Sequence, residues 1–81
     1  MANDFTPRRM TWEATQADAP LIRGLVNVLL SDKEATDILV KRVQDACELN
    51  PRFIYEPTDE SRAMFYARVL LSECQRMLSA V

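Results

Sequence analysis

Histidine is absent from this 81-residue chain, and glycine occurs once. The first absence removes the only side chain that titrates near neutral pH without perturbation. With it go the usual general base, the Ser-His and Cys-His nucleophile pairs, and the commonest metal ligand. The second means that no glycine-rich phosphate loop can be built, since Gly24 stands alone inside a helical pattern. Cysteine is limited to Cys47 and Cys74, too few for a disulfide framework. Long apolar runs are missing too. The most apolar stretch, Leu21 to Leu30, contains Arg23 and Asn27 and falls short of the ~20 residues a membrane span needs. No apolar leader core follows Arg8 and Arg9, and Ala2 stands where myristoylation needs glycine. A cytoplasmic protein without membrane contact is expected.

Strong charge of either sign is also lacking. With 10 basic and 12 acidic residues the net charge is −2, so no whole-chain field draws nucleic acid and none imitates it. Eight of the bases are arginine, a residue suited to planar, bidentate contacts at interfaces, although genomic base composition produces the same bias. The carboxylate pairs Asp59/Glu60 and Asp32/Glu34 fall at helix starts, where acid serves capping rather than catalysis. No catalytic residue, metal ligand or cofactor is assigned, and the chain is expected not to be an enzyme.

What is present is an apolar fraction of 48%, enough for one small core. A chain this short buries only about 60% of its unfolded surface, so oligomerisation is a common supplement. Residues 1–17 read as an N-terminal arm and 18–81 as a helical domain. Asp18 and Pro20 mark a helix start. The apolar residues that follow, at 21, 22, 25, 26 and 28 to 30, cover more than one stripe, so this helix should be contacted from two sides. Ser31 to Glu34 forms a capping box for a second helix, whose apolar positions Ala35, Ile38, Leu39, Val43, Ala46 and Cys47 recur at three and four. Pro51 ends it at Asn50. Thr58 is the expected cap of a third helix, with a stripe of Ala63, Tyr66, Ala67, Leu70, Cys74, Met77 and Leu78.

The expected fold is all-α: a small three-helix bundle with an extended N-terminal arm. The similar segments Arg9 to Glu13 and Arg52 to Glu56 suit a minor two-stranded ribbon closing one end, and an added helical turn fits around Thr11 to Ala17. The first helix is shorter than the other two and cannot cover both along their length. Part of their stripe is left to the arm or to another chain. In a hairpin turning near residue 54, Cys47 and Cys74 lie roughly 20 Å apart at the helical rise, so two free, buried thiols are expected. Gly24 is read as a close helix–helix approach.

The connection Asn50 to Pro57 carries Phe53, Ile54 and Tyr55, unusual for a loop. Either Trp12, Phe53 and Tyr55 plug the end of the bundle, or they meet another chain. Phe65 falls off the expected stripe beside Arg62 and Arg68, as an exposed aromatic flanked by arginine would. The candidate partner-binding residues are Trp12, Phe53, Tyr55, Phe65, Arg68 and Arg76, because aromatics and arginine dominate interface hot spots. The expected function is a protein-binding module, a homodimer, that occupies a partner surface as inhibitor, adaptor or assembly subunit. Cofactor-free chains of this size class are common among phage and mobile-element accessory proteins. The alternative is nucleic-acid binding through Arg62, Arg68 and Arg76 with Arg8 and Arg9 in the arm, although no helix-turn-helix pattern accompanies them. A third reading has Arg62 or Arg68 clamping a small phosphorylated ligand.

Overall fold

The computed structural model describes residues 7–80. Four helices make up an all-α bundle: α1 (Trp12–Ala17), α2 (Ala19–Leu29), α3 (Lys33–Leu49) and α4 (Arg62–Ser79). Thr11 caps α1, its Oγ1 accepting from the Ala14 N–H at 3.2 Å. Only Asp18 separates α1 from α2, and Pro20 lies in the first turn of α2, where its missing N–H costs nothing. Leu30 is extended and breaks the chain into α3.

Two caps differ from expectation. The cap of α3 is Asp32 rather than Ser31, with Oδ2 accepting from the Ala35 N–H at 2.8 Å. A carboxylate answers the positive end of a helix more strongly than a hydroxyl does. The cap of α4 is Ser61 rather than Thr58, accepting from the Met64 N–H at 3.2 Å. Glu60 is drawn instead onto Arg68 by two hydrogen bonds of 2.9 and 2.8 Å. Asn50 ends α3 in an extended conformation, as a residue before proline should.

The core gathers Met10 from the arm, Ile22 and Val26 from α2, Val40, Val43 and Cys47 from α3, Phe53 from the loop, and Phe65, Tyr66, Val69 and Leu70 from α4. Phe65 is 0% exposed, so its expected place on an outer face is overturned. The inward face of α4 is Phe65, Tyr66, Val69, Leu70 and Glu73, roughly a quarter turn from the expected stripe at 3.6 residues per turn. The apolar arc of α4 is wide enough for either orientation. Burying phenylalanine and valine removes more area from water than burying Ala63 and Ala67. Ile38, placed on the inner stripe of α3 by its spacing, is exposed for a related reason: Val40 and Gln44 turn inward instead.

The loop of residues 50–61 does not make a tight hairpin. A turn at residue 54 would set Arg42 opposite Tyr66, yet its partner is Glu73, at 3.7 Å, about two helical turns further on. The loop instead folds Phe53 into the core, edge-on to Phe65 at 6.2 Å. Both cysteines are free, but Cys47 is buried while Cys74 is only half-buried. The expected ribbon is a single antiparallel bridge, Arg9 to Tyr55, flanked by Met10 N–H to Ile54 O at 2.7 Å and Glu56 N–H to Arg8 O at 2.9 Å. It stops there because Trp12 and Glu13 already belong to α1. Gly24 meets no close neighbour: a Cβ there would have open space within 4 Å.

Candidate functional site

The arm is fastened by a polar cluster. Asp18 Oδ2 accepts from Arg8 at 2.6 Å and from the Tyr66 hydroxyl at 2.7 Å, while its Oδ1 lies 3.5 Å from Arg62. Glu56 Oε1 accepts from the same Arg8 at 2.7 Å and lies 3.4 Å from Arg62. Asp18 therefore stands at the start of α2 without capping it by its side chain. Burial opposes its charge, but the hydrogen bonds from Arg8 and Tyr66 and the nearby arginine charges outweigh that cost and hold the carboxyl below its usual range. Burial and the Asp18 carboxylate push the Tyr66 hydroxyl up, so it stays a donor. These groups satisfy one another and tie the arm to the start of α2, to the 50–61 loop and to α4.

The partner-binding candidates do not share one surface. Phe53 and Phe65 are core residues that present no ring outward. The sequence reading of Phe53 as a lid is the one its position matches. Trp12 is half-buried at the start of α1, and Tyr55 is 48% exposed with the Arg9 guanidinium 5.9 Å from its ring. Arg68 is occupied by Glu60, and Arg76 by Glu73 at 2.9 Å. Glu73 is itself buried between Arg76 and Arg42. The cleft of about 480 Å³ beside it is lined by Arg42, Asp45, Leu49, Asn50, Glu73 and Arg76. Its two arginines face two carboxylates, and the carbonyl end of α3 adds negative potential, so it has no net pull on an anion.

A second surface was not among the candidate residues. Between α2 and α4 runs a groove of about 280 Å³ lined by Leu25, Val28, Leu29, Ala67, Leu70, Leu71 and Cys74, without one charged side chain. Around it Val28 is 81%, Leu29 61%, Leu71 59% and Leu78 75% exposed, and Met64 is also exposed. On α4 the residues Met64, Ala67, Leu71, Cys74 and Leu78 follow one another at three and four, with Ala63 beside the first, a second apolar face beside the buried one. The signal was in the sequence, as an excess of apolar residues on both helices beyond what one core contact needs.

Cys74 opens onto this groove, whereas burial pushes the Cys47 thiol up to about 12. Among the described residues no three His, Cys, Asp or Glu side chains are grouped as a metal ion would require, and no helix is long and apolar enough to cross a membrane. No protein-family model matches the chain, and neither a curated protein nor a solved structure is significantly similar to it.

Proposed function

We propose that the chain is a non-enzymatic protein-binding module of the cytoplasm, self-associating as a homodimer and acting by occupying a partner's surface as inhibitor, adaptor or assembly subunit. The observation that carries this reading is the uncharged α2–α4 face, whose large aliphatic side chains lie in water. Contiguous exposed apolar surface of this kind marks interaction sites in small soluble chains. Trp12 and Tyr55 do not line this face. The nucleic-acid reading loses support, because four of the arginines on which it rested are paired with carboxylates: Arg8 and Arg62 with Asp18 and Glu56, Arg68 with Glu60, and Arg76 with Glu73.

Size-exclusion chromatography with light scattering, monitored at two ultraviolet wavelengths, tests the proposal. A mass near twice 9.3 kDa without co-eluting nucleic acid is expected. A monomer at every concentration, or a peak that carries nucleic acid, counts against it.

A further inference from the structure

Resting on the proposed self-association, we infer that the α2–α4 groove is where the second copy docks, face to face about a two-fold axis, so that the two α2–α4 pairs form a four-helix layer. Charge, shape and area each fit a second copy of this chain at that place.

The first is charge. An isologous contact brings each patch against itself, so any net charge on it would be repelled by its own image. The groove has no charged lining residue. The charged neighbour of Ala67 on α4, Arg68, is already paired within one copy, with Glu60 at 2.8 Å.

The second is shape. An apolar groove between two helices, bordered by protruding leucine and valine, accepts the ridge of another helix pair. The helix α4 has such a ridge in Leu71 and Leu78, and α2 has one in Val28 and Leu29. Each copy thus supplies both groove and ridge, which a self-complementary contact requires.

The third is area. A fully buried aliphatic side chain removes roughly 60–120 Å² of apolar surface from water, from the usual transfer energies. At their observed exposures, Val28, Leu29, Met64, Leu71 and Leu78 offer about 200–400 Å² per copy on that scale. That is less than the about 600–800 Å² per partner at the lower end of a stable interface, and the half-buried Leu21, Leu25, Ala67 and Cys74 add only part of the difference. A dimer that dissociates on dilution follows, rather than a permanent one.

The test uses the full chain and reads the dissociation constant by sedimentation or light scattering over a dilution series. Val28→Lys and Leu71→Lys, at positions already in water, are each expected to weaken self-association at least ~30-fold. Ile38→Lys removes an equally exposed aliphatic residue from the outer side of α3 and is expected to change nothing. In the unmodified chain, alkylation of Cys74 is expected to slow as concentration rises through the dimer range, while Cys47 reacts slowly throughout. A dimer that survives both groove substitutions, with Cys74 equally reactive in both forms, overturns this face but leaves self-association standing. A chain that stays monomeric overturns both.

Discussion

Replacing Phe53 with alanine asks whether an aromatic loop residue is core or contact surface. Its ring is 1% exposed and meets Phe65 edge-on. The loop around it has little freedom to collapse into the void. Asn50 O accepts from the Phe53 N–H at 2.8 Å, Asn50 Oδ1 from the Arg52 N–H at 3.0 Å, and Ile54 O from the Met10 N–H at 2.7 Å. An unrelaxed cavity places the loss near the usual range for such truncations, about 3–5 kcal/mol. The whole domain, at roughly 0.05–0.15 kcal/mol per residue, has only about 4–12 kcal/mol of stability. The variant therefore sits close to the unfolding threshold. In urea, with a slope near 1 kcal/mol/M for so small a chain, the midpoint should fall by about 3 M or more. Tyr55→Ala, two residues away, should cost less than about 1 kcal/mol, because its bridge to Arg9 is made by backbone and its ring contributes only an exposed cation–π contact. Equal midpoints for the two variants would refute the reasoning and return Phe53 to the surface.

Tyr66→Phe deletes a buried hydrogen bond to a carboxylate and is expected to cost about 1.5–3 kcal/mol by the same urea assay. Asp18 titrates below its ordinary 3.8 in the folded chain, so the unfolded chain takes up protons first. Its stabilisation is complete above that value and is lost as pH falls through the folded one; Asp18→Asn should flatten this acid limb of a stability–pH curve. Gly24→Ala should raise stability by about 0.5–1 kcal/mol, since the helix gains propensity and the new Cβ meets nothing, and a lower melting temperature would contradict this. The buried Gln44 Nε2 has no hydrogen-bond partner among the described residues, so Gln44→Met should stabilise the fold by about 1 kcal/mol, read as a raised urea midpoint.

Local signals in the sequence were accurate where one residue acts alone. Pro51 ends α3 and Pro20 opens α2 because each restricts its own backbone and that of the residue before it. Caps were displaced where two acceptors compete within a few residues, as Ser31 with Asp32 and Thr58 with Ser61. The orientation of α4 was beyond periodicity. Both Ala63–Ala67–Cys74 and Phe65–Val69 recur at helical spacing, and the choice between them is made by side-chain volume and by the ability of Arg42 and Arg76 to reach the buried Glu73 from the surface. The excess apolar face was legible as a surplus, but its location was not, because that depends on which arc of α4 the core takes first. Phe65 was misplaced for the same reason.

The cluster around Asp18 joins residues made far apart in time. Arg8 and Asp18 leave the ribosome well before Glu56, Arg62 and Tyr66, which complete their hydrogen bonds. At 5–20 residues per second, roughly 3 to 12 s separate the synthesis of Arg8 from that of Tyr66. Through that interval the seat of the arm lacks Arg62 and Tyr66, and the core that Met10 enters lacks its α4 side. The segment translated early is thus among the last to be fixed, and its docking reports that α4 is in place.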